Sequence, residues 1–226
     1  MIRFLIASPH SGAGKTVITL AIMRLLRKRG VKYQPAKSGP DYIDPKFHEV
    51  ASGESSVNLD AWAMRKEEIE NLAGSGNLVV EGAMGLFDGA GVSGVGSSAD
   101  LAKILSLPVI LVIDSGKTAH SIAAIVQGFK SFDNHVTVAG VILNRVASDR
   151  HLNILRAALS KIDVPLLGFL FKSNVFSLSE RHLGLVQASE KQNLEHWIDI
   201  VSEALAPSLD LKTLTELTSQ PNPKPQ

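Results

Sequence analysis

The segment Ser8-Pro9-His10-Ser11-Gly12-Ala13-Gly14-Lys15-Thr16 constrains this chain more than any other stretch. A short apolar run, Phe4–Ala7, precedes it, and an amphipathic stretch, Thr16–Arg29, follows. Small residues between a strand and a helix let backbone N–H groups wrap an anion at the positive end of the helix, which makes a phosphate cradle. Lys15 adds a charge at the outer phosphates, and the Thr16 hydroxyl is placed to hold Mg²⁺. Ser11, Gly12, Ala13, Gly14, Lys15 and Thr16 are therefore the expected nucleotide-binding residues. Pro9 stands where the usual pattern has its first glycine. His10 either touches phosphate or packs on the loop backbone.

The rest of the chain repeats the same alternation. Leu78–Val80, Val109–Ile113, Val138–Leu143 and Leu166–Leu170 are apolar on both faces, with Gln34–Lys37 a weaker candidate. Runs of this kind are parallel strands covered by helices on both sides. Between them lie the helical patterns Lys66–Ala73, Ala99–Leu105, His120–Phe132, Arg150–Ile162 and Glu190–Ala206. The reading is a doubly wound, mostly parallel α/β sheet with helices on both faces. The 226 residues, 45 % of them hydrophobic, suit one domain over 1–206, with 207–226 expected as a linker or flexible tail. A net charge of +1 provides no strong field for a nucleic-acid partner. With no cysteine, thiolate metal sites, disulfides and a cysteine nucleophile are excluded within this chain. No apolar run reaches the roughly 18–20 residues of a membrane span, so no membrane partner and a cytoplasmic location are expected.

Two segments interrupt the rhythm, Gly39–Asp60 and Gly82–Ser98, each after a strand, where ligands of open α/β sheets bind. Glu81 ends the run Leu78-Val79-Val80. An acid there can hold Mg²⁺ directly or through water, or simply cap a helix or face solvent. In Lys37-Ser38-Gly39-Pro40-Asp41-Tyr42-Ile43-Asp44-Pro45, Pro45 suits the first turn of a helix that Asp44 would cap, and a functional acid is the alternative. Asp41 has no comparable structural role. Two carboxylates at ~4 Å repel by roughly 4 kcal/mol at an effective dielectric near 20. Gathering Asp41, Asp44, Glu81 and Asp88 makes sense around Mg²⁺ and Lys37. Trp62 and Trp197 read as core residues, Gly116-Lys117-Thr118 as an ordinary loop, and His120, His135, His151 and His196 lack metal-ligand spacing.

Longer motifs carry a resemblance. Gly39–His48, Asn58-Leu59-Asp60, Glu81-Gly82-Ala83-Met84-Gly85-Leu86-Phe87-Asp88-Gly89, Ser97-Ser98-Ala99, Gly140–Val146 and Glu180–Val186 together resemble the synthetase domain of cobyrinic acid a,c-diamide synthases. That domain lies in the dethiobiotin-synthetase-like branch of P-loop NTPases, and the likeness runs from residue 2 to about 206. It implies ATP- and Mg²⁺-dependent amidation of two acetate side chains of cobyrinic or hydrogenobyrinic acid, or of a related tetrapyrrole, through an acyl phosphate. It implies Lys15, Lys37, Asp41, Asp44, Glu81 and Asp88 as the catalytic set, with Thr16, Asp41 and Glu81 on the metal. Asn144 would sit at the adenine, and Tyr42, Ile43 and Asp60 on the tetrapyrrole side. Arg181 and His182 would join them, or form a structural ion pair. A homodimer is implied too. The family usually continues into a glutaminase domain with a catalytic cysteine, so ammonia is expected from outside or from a separate glutaminase domain. Two other readings share the phosphate loop: a partition- or division-site-type nucleotide-switch ATPase, and dethiobiotin synthetase itself. His10 in place of an early loop lysine, together with Gly39–His48, speaks against the first, and Glu180–Val186 against the second.

Overall fold

The computed structural model describes residues 1–176 and 188–219, with backbone only for 188–192. Its strands are β1 (Arg3–Ala7), β2 (Gln34–Ser38), β3 (Val57–Leu59), β4 (Leu78–Glu81), β5 (Val109–Asp114), β6 (Val138–Val146) and β7 (Leu166–Phe171). They pair in parallel in the order β3-β2-β4-β1-β5-β6-β7. The helices are α1 (Lys15–Lys28), α2 (Asp44–Ser52), α3 (Lys66–Ala73), α4 (Ser98–Leu105), α5 (Ser121–Phe132), α6 (Asp149–Leu159), α7 (Ala188–Leu205) and α8 (Leu211–Thr218).

The direction of each crossover decides which face its helix covers. The steps β1 to β2 and β2 to β3 go one way along the sheet, and α1 and α2 lie on one face. The remaining steps go the other way, and α3, α4, α5 and α6 lie on the opposite face. A consistent right-handed crossover demands this segregation. Both sheet faces are thus buried: Phe4 and Ile6 enter the α1 layer, while Leu5 and Ala7 enter the other. α7, followed by no strand among the described residues, closes the first face over α1. As a result every residue of α1 from Ile18 to Leu26 is buried.

Some expectations need correction. Residues 207–219 are not a linker: Ser208 exchanges hydrogen bonds with the backbone of Phe169, and the Asp210 N–H donates to Leu167 O. They pair with the free edge of β7, and α8 then buries Leu214 beside Leu209. Covering an edge strand in this way removes an unpaired row of backbone groups. Gly39–Asp60 holds the helix expected at Pro45, α2, and also the edge strand β3, which was not expected. Trp62 is not a core residue, being 68 % exposed, whereas Trp197 packs half-buried and donates Nε1–H to Val175 O. Arg181 and His182, with the whole Glu180–Val186 motif, and residues 220–226 lie outside the described residues.

Candidate nucleotide site

The carboxyl ends of β1, β2, β4 and β6 meet at one rim of the sheet, beside the point where the chain's crossovers change direction, as ligand sites in open α/β sheets do. The loop after β1 bends through Gly12 (φ 80°) and Gly14 (φ 93°), a region that favours glycine. At Gly14 a second constraint acts, because a Cβ there would overlap the Asn144 side-chain amide. Asn144, buried at the end of β6, donates Nδ2–H to Ala13 O at 3.0 Å. Arg145 donates to Gly12 O at 2.9 Å and to Asp114. The loop is thus held by its carbonyls. The backbone N–H groups of Gly14, Lys15 and Thr16 have no partner among the described residues, and α1 carries no acid in its first turn. Free N–H groups at an uncompensated helix N-terminus are an anion site.

Lys15 is buried, and its Nζ donates to Ser8 Oγ (3.0 Å) and Met84 O (2.6 Å). Burial lowers its pKa, nearby Lys37 adds to this, and Glu81 opposes it. Met84 itself holds φ 48°, an uncommon conformation for a residue with a side chain. Below the loop lies a run of linked charges. Glu81, fully buried at the end of β4, accepts from Thr16 Oγ1 at 2.6 Å and from Lys37 Nζ at 3.3 Å on Oε1. Its Oε2 lies 2.7 Å from His48 Nε2. Lys37, buried in β2 and in register with Glu81, also donates to Asp44 and to Gly82 O. Burial alone would raise the Glu81 pKa, but Lys37, His48 and Thr16 outweigh it and hold the group well below the usual carboxylate range. Burial would lower the Lys37 pKa, yet Glu81 and Asp44 drive it upward. Burial and the Glu81 charge push Asp44 up to about 6 against the pull of Lys37.

The two aspartates of the β2 loop exchange the parts expected of them. α2 starts one residue early, at Asp44, so Asp44 does not cap it. Asp41 Oδ1 instead accepts the N–H groups of Ile43 (2.8 Å) and Asp44 (3.1 Å), while Oδ2 stays 3.9 Å from Lys37. Released from capping, Asp44 turns its carboxylate to Lys37. Asp88 accepts from Gly85 N–H at 2.8 Å and shapes the turn that presents Met84 O to Lys15. Tyr42 and Ile43 stand exposed at the rim. Asp60 is buried and accepts the N–H groups of Trp62 and Ala63, which is a turn-forming role. Ser11 is exposed at the loop's tip, and His10 turns its Nδ1 back to Ser11 O.

Two residues escaped the sequence reading. His48 reaches Glu81 from α2, and the signal was there: it lies four positions after Asp44, hence on the same helix face. Arg145, at φ 58°, ties the loop to Asp114 and carries no signal beyond its neighbour Asn144. A cleft of about 430 Å³ opens between the loop, Asp44, Phe47, Asn144 and Phe171, a size ordinary for a small-molecule site.

The donor set also fits a hard divalent cation. Thr16 and Glu81 bring hydroxyl and carboxylate oxygens within 2.6 Å of each other. Around them the ammonium groups of Lys15 and Lys37 face the four carboxylates of Asp41, Asp44, Glu81 and Asp88, an excess of two negative charges. Among the described residues no cluster of three His, Asp or Glu side chains converges on one point. A cation held at Thr16 and Glu81 would take few protein ligands and keep most of its water.

The chain is 50 % identical over 224 residues to a protein of Brucella anthropi named hydrogenobyrinate a,c-diamide synthase, covering 96 % of this chain and 51 % of that one. Proteins of the same name from Rhizobium meliloti (50 % identical, 93 % and 50 % covered) and Rhodobacter capsulatus (46 % identical, 92 % and 50 % covered) match likewise. The chain spans about half the length of these curated relatives. The solved structure of chloroplast FtsY from Physcomitrella patens superposes with a TM-score of 0.54 at 15 % identity, over 87 % of this chain and 65 % of that one, a likeness of fold. The family described as the CobQ/CobB/MinD/ParA nucleotide binding domain matches residues 4–186, a span that holds the phosphate loop, the linked charges beneath it and Asn144, and the chain belongs to that family.

Proposed function

We propose that this chain uses ATP and Mg²⁺ to activate the a and c acetate carboxylates of hydrogenobyrinic or cobyrinic acid for amidation, working as a homodimer with ammonia supplied from outside it. The observation that carries the reading is the linked set Thr16–Glu81–Lys37–Asp44, which lies directly beside the phosphate loop and opens toward exposed Tyr42 and Ile43. The names of the relatives supply the substrate class.

A carboxylate is a poor acyl donor until it gains a leaving group. In the proposed reaction a substrate carboxylate oxygen attacks the γ-phosphorus as the bond to the β,γ-bridging oxygen breaks, giving an acyl phosphate and ADP. Ammonia nitrogen then attacks the acyl carbon, phosphate departs with the C–O electrons, and nitrogen loses a proton. Such transfers depend on positioning and charge neutralisation. The free N–H groups of Gly14, Lys15 and Thr16 hold the phosphates, and Lys15 leaves Met84 O to reach them. Lys37 brings positive charge to the side where the two anions approach. Asp44, with its pKa near 6, accepts the proton of an incoming carboxyl group. Mg²⁺ at Thr16 and Glu81, with Asp41 at its edge, would neutralise charge across the outer phosphates. Tyr42 and Ile43 hold the macrocycle at the rim, and Asn144 lies at the adenine end of the cleft.

The test is isotopic. With ¹⁸O-labelled substrate carboxylates, ATP, Mg²⁺ and ammonium, each amide formed should place one labelled oxygen in inorganic phosphate. ATP turnover indifferent to the tetrapyrrole would sink the reading and favour a nucleotide switch.

A further inference from the structure

We propose that His48 is a positioning residue of this site, fixing the Glu81 carboxylate so that Oε1 stays turned toward Thr16 and the cation. The proposal rests on the Mg²⁺ reading above and goes beyond it in naming what orients the ligand. The last torsion of a glutamate is broad and nearly two-fold, so its carboxylate takes whatever orientation its partners impose. Oε1 receives Thr16 Oγ1 at 2.6 Å and Lys37 Nζ at 3.3 Å. Among the described residues Oε2 receives His48 alone, at 2.7 Å. Neither His48 nor Glu81 reaches solvent, so no water replaces the imidazole.

The ring is itself held. Its Nδ1 lies 3.1 Å from Ser56 Oγ, and its other nitrogen faces Glu81, so Nε2–H donates whether the ring is neutral or charged. The backbone beneath is equally fixed, since Phe47 is buried beside α1 and the His48 carbonyl accepts from Ser52 Oγ. Asp44 and His48 share one face of α2, and their partners Lys37 and Glu81 sit in register on β2 and β4. Helix and sheet meet here through two polar rungs. Groups that orient a metal ligand in this manner are commonly worth 10–100-fold in metal affinity or activity.

The experiment measures binding, not turnover. Affinity of this chain for a fluorescent ATP analogue is determined in EDTA and across a Mg²⁺ titration. In the wild type Mg²⁺ should tighten binding. His48→Ala should raise the Mg²⁺ concentration needed by about 10–100-fold while leaving affinity in EDTA unchanged. His48→Gln, whose amide N–H reaches as far as Nε2, should recover most of the loss, and His48→Asn, which is too short, should not. Ser56→Ala should cause a smaller loss of the same kind. In a Glu81→Gln background His48→Ala should add nothing, because the residue acts through Glu81. Full Mg²⁺ dependence in His48→Ala, no advantage of Gln over Asn, or additive losses would each overturn the proposal. If His48→Ala does not fold, the comparison of Gln with Asn decides alone. A wild type indifferent to Mg²⁺ overturns this proposal and the Mg²⁺ reading together. Failure of the tetrapyrrole assignment leaves the measurement untouched.

Discussion

Gly12 and Gly14 allow two causes of glycine retention to be separated. Both have positive φ, 80° and 93°, but a Cβ at Gly12 meets nothing within 4 Å, whereas one at Gly14 overlaps the Asn144 amide. Gly12→Ala should therefore cost only the conformational penalty of an L-residue in that region, roughly 1–2 kcal/mol. Gly14→Ala carries the same penalty and must also displace a side chain whose Nδ2 is bonded to Ala13 O and whose Oδ1 accepts the Arg145 N–H. Losing one such bond adds about 1 kcal/mol, with residual overlap beyond that. For a chain of this size each kcal/mol lowers Tm by roughly 2–4 °C. Urea unfolding of both variants without nucleotide should rank Gly14→Ala below Gly12→Ala by about 1–2 kcal/mol. Asn144→Ala removes the obstacle, so Gly14→Ala in that background should cost no more than Gly12→Ala does in the wild type. Equal destabilisation of the two glycine variants, or full additivity with Asn144→Ala, would falsify the claim that Asn144 braces the loop.

Other outcomes follow from the charges. Lys15→Ala should lower ATP turnover by a factor on the order of 10²–10³, the scale of one preorganised contact, and unchanged kinetics would remove Lys15 from the phosphates. Asp44 has its pKa raised from 3.8 to about 6, so the folded state binds its proton more tightly than the unfolded chain. Its contribution to stability is then complete below 3.8 and lost as pH rises through 6, so the stability difference between wild type and Asp44→Asn should fall between pH 4 and 7. The acid limb of the wild-type pH–rate profile near 6 should vanish in that variant. Ammonium should support amidation, with a rate that climbs as pH favours NH₃, while glutamine with this cysteine-free chain alone should release no glutamate and form no product. Glutamine-driven amidation by the purified chain would refute this.

Five strands of the sheet were legible because they are buried on both faces and read as unbroken apolar runs, whereas β2, Gln34-Pro35-Ala36-Lys37-Ser38, gave a weaker signal. β3 was not legible, being three residues at an edge, with Val57 and Asn58 only half-buried. α8 was hidden by Pro207 and the polar residues beyond it. Its signal was the spacing of Leu211 and Leu214 after Asp210, whose side chain accepts the Thr213 N–H. In the site, Lys15, Thr16, Lys37, Asp44 and Glu81 were legible by residue type and position and are brought together. The parts of Asp41 and Asp44 were not, because a helix start displaced by one residue changes which carboxylate caps and which is free. Boundaries are the least certain product of pattern reading. His48 illustrates a second limit: its spacing from Asp44 puts it on the same face of α2, but its partner Glu81 emerges only once two strands and a helix are assembled.

The complete enclosure of α1 gives the site an asymmetric stiffness. One wall, the helix that receives the phosphates, is clamped by the sheet below and by α2 and α7 around it. The opposite wall consists of the turns after β2 and β4, which carry exposed Tyr42, Met84 and Val92. A nucleotide therefore docks against a surface that global folding has already ordered, so little further conformational entropy is lost there. A difference in shape between the ATP- and ADP-bound states would fall on the exposed residues of those turns rather than on the enclosed helix. In the proposed reaction the macrocycle would rest on those same turns, so phosphoryl transfer and macrocycle retention would be coupled through them while the helix that receives the phosphates stays still.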